Sequence, residues 1–203
     1  MRKGENYMKE YFDSMLKTIN DSVGSLNYER FNQLTDECMK AIEGGHKVIV
    51  SGLGKNVPVC DKFVGTMNSL GQPASFMNTN SAVHGDIGMV NDGDVVIILT
   101  KSGETVESVY LESLLEERGC IIWLLTFRKE STLTKKLGER CVILDLENEG
   151  DQWDIVPNNS TTVNLIVLQG LAMEIVKRRG VTLMDFKKNH PGGHIGEQLK
   201  NIK

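Results

Sequence analysis

No apolar run in the chain reaches the ~18 residues of a membrane-spanning helix. The start, MRKGENYMKEYF, has none of the apolar stretch that a secretory signal needs. Basic charge is not in excess: 23 Lys and Arg stand against 27 Asp and Glu, a formal net charge of −4. Together with the lack of a basic or aromatic patch, this argues against nucleic acid as a partner. The 4 cysteines, Cys38, Cys60, Cys120 and Cys141, form no C-x-x-C pair and are expected as buried free thiols in a reducing cytoplasm. Two nucleotide signatures are missing as well. G-x-x-x-x-G-K-[ST] is absent, and GLGKN lacks the third glycine of G-x-G-x-x-G, with Val57 in its place. ATP and NAD are thereby discounted. No internal repeat and no low-complexity linker is visible.

What remains is ordinary globular material: 203 residues, 40% hydrophobic and 25% charged, enough for one domain with a core of normal size. The residues 1–45 read as a helical extension. Tyr7, Met8, Phe12, Met15, Leu16 and Ile19 recur at helical spacing, and YERFNQLTDECMKAIEGG follows as a second helix ending at Gly44-Gly45. Residues 46–203 read as an α/β core with a C-terminal tail. Strands KVIVSG, PASFMN, DVVIILT, CIIWLLTF and RCVILDL alternate with helices at 57–71, 105–119, 131–138 and 160–180. Such alternation implies crossovers and a parallel sheet, and the continuous apolar strands imply that both faces are covered. The fold class is a doubly wound α/β sheet with two helices added in front.

Ligands of such sheets bind beyond the carboxyl ends of the strands. Those ends here are SGLGKN, NTNSAVHGDIGM, TKSGETVES, TFRKEST and ENEGDQWDIVPNNSTT. In the third, Ser102, Gly103 and Thr105 lie where a strand becomes a helix. Unpaired N–H groups, hydroxyls and a close-approaching glycine there suit a phosphate. An N-cap with a capping-box Glu would also account for this loop with no ligand. His84-Gly85-Asp86 offers too few donors for a metal site on its own and reads equally as a capping turn. His190, held extended by Pro191, is of a residue type that suits proton transfer.

Taken in order, SGLGK, HGDIGM, TKSGETVE, VPNNSTT and HPGGHIG resemble the sugar isomerase (SIS) domain, and within it the arabinose 5-phosphate isomerase branch. The resemblance covers about residues 30–199. It implies a five-stranded parallel sheet flanked by helices, and dimers or tetramers with active sites shared between subunits. It implies a phosphosugar held by Ser102, Gly103, Glu104 and Thr105, with Gly52 and Gly54 nearby. The branch's functional positions fall on Lys55, Glu104, Glu149 and His190. A further family histidine, able to hold a divalent metal that inhibits or stabilises, falls on His84. No cofactor is required for the reaction. Longer members continue into paired cystathionine-β-synthase domains, a module that a chain ending at Lys203 is expected to lack.

Two departures stand out: Lys101 where the branch has asparagine, and Trp153-Asp154 in a loop that is usually built of small residues. The second suggests a changed sugar. Interconverting an aldose and a ketose phosphate needs a carbon-proton base and a stabiliser of the enediol. Glu149 is the first candidate for the base and Glu104 the second. His190 would open the ring or move the hydroxyl proton, Lys55 would hold the enediolate or the phosphate, and Gln152 or Asn158 would orient hydroxyls. The alternatives are an isomerase of a hexulose or heptulose phosphate, and a phosphosugar sensor without chemistry.

Overall fold

A computed structural model describes residues 3–202 of the chain. It begins with α1 (Lys3–Gly24) and α2 (Tyr28–Glu43). Asn27 starts α2 by accepting the N–H groups of Glu29 and Arg30. The α2 stripe of Phe31, Leu34, Cys38, Ala41 and Ile42 is buried, as its spacing requires. The chain then runs β1 (Val48–Gly52), α3 (Val57–Ser69), β2 (Ala74–Asn78), α4 (Thr79–Ala82), β3 (Val95–Leu99) and α5 (Val106–Leu115). It continues through β4 (Ile121–Thr126), α6 (Thr132–Leu137), β5 (Cys141–Ile143), α7 (Asn159–Arg178), α8 (Leu183–Lys188) and α9 (Gly193–Leu199).

The strands form one parallel sheet of order β2-β1-β3-β4-β5, with Val48 in register with Ala74 and Val95, and Val95 with Ile121. Every residue of β1 and β3 is buried. Alternation divides their side chains between two layers. Val95, Ile97, Leu99 and Trp123 pack with α1, α2, α3 and α7, while Val96, Ile98 and Leu124 pack with Leu111, Leu115 and Leu133 of α5 and α6. A sheet of this order changes direction between β1 and β3, where a crevice opens at the strand ends.

The apolar stripe of α1 is only partly covered within the chain: Ile19 is buried and Met15 partly so, but Tyr7, Met8, Phe12 and Leu16 are exposed. Two expected element ends need correction. The helix expected at 105–119 gives way to a 3-10 turn, Glu116–Arg118, before Gly119 turns the chain at φ 69°. The last strand stops at Ile143 because β5 pairs only with β4 at the sheet edge. The tail expected after residue 180 contains α8 and α9. A reciprocal cap between Thr182 and Asp185 starts α8. The cysteines are free, with Cys38, Cys60 and Cys141 buried. Burial pushes the Cys60 thiol up to about 12, far from any nucleophilic use.

Candidate active site

At the carboxyl ends of β1 and β3 lies a cavity of about 240 Å³, small for a ligand pocket. Leu53–Asn56, Leu99–Lys101, Thr105, Ser108, Pro157, Ser160, Thr161 and Asn164 line it. The strands turn away sharply here. A Cβ on Gly52 would lie 2.9 Å from the Asn56 side chain, so only glycine lets β1 pass into the 3-10 turn Gly54–Asn56 that carries Lys55.

The helices α3, α5 and α7 all begin at this cavity, and none has a side-chain hydrogen bond at its N-cap. At α5, the Thr105 hydroxyl bonds Thr100 Oγ1 at 2.9 Å instead of capping. The positive ends of α3 and α5 are therefore left for a ligand. Two wall atoms lack partners although they are deeply buried: Ser108 Oγ and Asn164 Oδ1, on residues only 1% and 2% exposed. Asn164 is held from its other side, donating to Asn56 Oδ1 at 3.0 Å. A buried polar atom without a partner is costly unless a ligand or water meets it.

The α7 end is filled by this chain itself. Glu149, with no exposed side-chain surface, accepts the N–H groups of Asn158 and Ser160 on Oε2, at 3.0 and 2.9 Å. Its Oε1 faces the Lys101 ammonium at 2.6 Å and has no other protein donor. Burial pushes this carboxyl up. The Lys101 ammonium and the two N–H groups outweigh burial and hold it below the ordinary carboxylate value. Asp154, at the positive φ of 56°, fixes the loop by accepting the Glu149 N–H at 2.6 Å.

The structure thus gathers Lys55, Gly54 and Thr105 around the cavity, with Glu149 behind its wall. Others are placed elsewhere. Gly103 is buried against Ser131, where a Cβ would lie 2.2 Å from Ser131 Oγ. The Ser102 hydroxyl accepts the Glu104 N–H at 3.1 Å. Glu104 turns from the cavity and caps α6, accepting Thr132 N and Oγ1 at 2.8 Å each. Those bonds, the hydroxyl's first, lower its carboxyl. Asn158 gives its amide to Tyr11 of α1, and Gln152 is exposed on its loop. Trp153 is 64% exposed and, like Asp154, does not line the cavity, so neither supplies a bulky wall beside a sugar.

His190 lies at the other end of α3. Its ring stacks on Phe186 with centroids 3.9 Å apart, its Nδ1 is 2.8 Å from Phe186 O, and neighbouring Asn189 bonds Ser69 O. Ser69 ends a helix whose start borders the cavity, a distance of about 18 Å. His84 is exposed in the turn after α4. Among the described residues no group of three His, Cys, Asp or Glu is placed to hold a metal ion, so the donors about His84 do not fit one within a single chain. Sequence reasoning missed Ser108, Asn164 and the side-chain role of Lys101. The signal for the first two was a polar residue on the buried stripe of a helix, next to Leu111 or between Val163 and Val167.

Known proteins resemble this chain in sequence and in fold. The family model described as SIS domain matches residues 42–174. The arabinose 5-phosphate isomerase KdsD of Pseudomonas aeruginosa is 34% identical over 193 residues, 94% of this chain and 59% of its own length. The arabinose 5-phosphate isomerase KpsF of Escherichia coli is 33% identical over 184 residues, 91% of this chain and 56% of its own length. The chain thus spans under two thirds of either relative. A solved structure of an E. coli CFT073 protein in complex with arabinose 5-phosphate superposes with a TM-score of 0.85 at 29% identity, covering 94% of this chain and 100% of that one.

Proposed function

The chain belongs to the SIS-domain family, and from that membership and the cavity we propose that it is an aldose–ketose isomerase of phosphosugars, interconverting ribulose 5-phosphate and arabinose 5-phosphate. The observation that carries this is the buried Glu149 carboxylate beside an anion-binding cavity. A domain that only bound a phosphosugar would gain affinity by losing that negative charge, because like charge repels the ligand. A carbon-proton base has to be there. The two arabinose 5-phosphate isomerases and the solved complex with that sugar phosphate support the choice of sugar.

In this mechanism the phosphate sits at the starts of α3 and α5, met by Lys55 and by the hydroxyls of Thr105 and Ser108. The open-chain sugar extends toward Glu149. The carboxylate takes the proton from the carbon beside the carbonyl. The C–H electron pair becomes the enediol double bond, and the carbonyl π pair moves to oxygen. Lys55 offsets part of the charge that develops there. The proton is delivered to the former carbonyl carbon, while the hydroxyl proton on the adjacent carbon's oxygen passes to the new oxyanion and that C–O bond becomes the carbonyl, so aldose and ketose exchange with no net redox change. His190 stands too far away to serve its own cavity, so ring opening by it requires a second copy of the chain, in a dimer or tetramer with shared sites.

The test is turnover. After chelator treatment, the protein is mixed with ribulose 5-phosphate or arabinose 5-phosphate and each is followed by NMR. Interconversion that disappears in Glu149→Gln is expected. Thermal stabilisation by either sugar without conversion would instead indicate a sensor. Conversion of a hexulose or heptulose phosphate alone would move the assignment to that sugar.

A further inference from the structure

Lys101, in the loop between β3 and α5, both lines the cavity and pairs with Glu149. Its backbone is fixed, since its carbonyl accepts Phe127 N and Thr126 Oγ1, each at 3.2 Å. Its side chain is not: it is 46% exposed, a flexible stem with a compact charge at its end. Glu149 is the reverse, with no exposed surface and with Oε2 anchored by two α7 N–H groups. Oε1, the oxygen that α7 does not hold, is the one that Lys101 occupies. Lys101 also lines the same cavity as Thr105 and the unpartnered Ser108, where α5 begins.

Resting on the isomerase reading, we propose that Lys101 is a positioning residue that clamps Glu149 while the cavity is empty and passes its ammonium to the phosphate of the arriving sugar, which frees Oε1 for the carbon proton. The consequence is a carboxyl held below its ordinary value in the free enzyme that becomes more basic once substrate is bound. The charged groups against Glu149 are Lys101 from the β3–α5 loop and Asp154 from its own loop, with the N–H groups of α7, while Lys55 lines the same cavity as Lys101. Lys101 is the one among them with the reach to leave.

The test compares wild type with Lys101→Asn and Lys101→Arg. The acidic limb of kcat/KM reports the free enzyme and that of kcat the complex. In wild type the kcat limb is expected at higher pH than the kcat/KM limb. In Lys101→Asn the two limbs converge, and Lys101→Arg restores their separation. Calorimetry with inorganic phosphate gives a readout that needs no turnover. Lys101→Asn is expected to bind it at least about tenfold more weakly, the loss of one charge-assisted hydrogen bond. Should that variant not fold, phosphate added to the wild-type protein should shift the carboxyl carbon resonance of Glu149. Coincident limbs in wild type, phosphate binding unchanged in Lys101→Asn, or a Glu149 signal indifferent to phosphate would each overturn the transfer. Absence of turnover with every sugar would overturn the isomerase reading alone, and the phosphate experiments would then decide the clamp.

Discussion

Glu149→Gln removes one charge and little volume, so it separates the two roles of the carboxylate. The first is structural. The substitution breaks the Lys101 pair and takes the counter-charge from the α7 N-terminus. Breaking a fully buried pair costs about 3–5 kcal/mol, but Lys101 is 46% exposed and is released to water. A helix-end charge is worth about 0.3–2 kcal/mol, and the glutamine oxygen still accepts the Ser160 N–H. The net loss expected at neutral pH is about 1–3 kcal/mol, read by urea unfolding. The sign with pH follows from the carboxyl being held below its ordinary value of 4.5. Its stabilisation is fully present above that value and is lost as pH falls through the lower folded value. The gap between wild type and variant should therefore stay constant from neutrality to about pH 4.5 and close below it. The second role is chemical, and loss of a general base lowers kcat by about 10²–10⁴. Equal stability at neutral pH together with near-normal turnover would refute both roles, and Glu104 would inherit the base if Glu104→Gln abolished activity.

Ser108→Ala should leave stability within about 0.5 kcal/mol of wild type, because its hydroxyl has no partner to lose, yet weaken inorganic phosphate binding in calorimetry. Lys55→Met should raise KM for the phosphosugar about tenfold or more with the fold intact by circular dichroism, since it removes one cation from the cavity rim. Gly103→Ala should destabilise by about 2–4 kcal/mol in urea: an alanine at φ 65° is strained, and its Cβ collides with Ser131, which caps α6.

The fold was legible where burial on both faces writes itself into sequence. VVIIL is an unbroken apolar run, and VIVSG apolar but for Ser51, because β1 and β3 are covered above and below. It was less legible where local chemistry decides. The six residues of α8 have no stripe to read, and their T-x-x-D cap was the only trace. Tyr7, Phe12 and Leu16 were readable as a helical stripe but not as exposed, because periodicity tells nothing of what covers a face. In the site, strand ends and glycines pointed to the GLGK turn and Thr105, and the family resemblance to Lys55 and Glu149. Sequence could not show that Glu104 turns to Thr132, nor that Lys101 reaches Glu149, because both contacts join separate loops that only the parallel sheet sets side by side.

The central claim is proton transfer at carbon by a residue of this cavity, and the most direct measurement is isomerisation of ribulose 5-phosphate in deuterated water, with the arabinose 5-phosphate formed read by proton NMR. An enediol intermediate requires a proton to return to carbon 2 from a base that exchanges with solvent. Deuterium at carbon 2 in the wild-type product, and neither product nor exchange in Glu149→Gln, is the predicted result. Exchange and product formation undiminished in Glu149→Gln would contradict it.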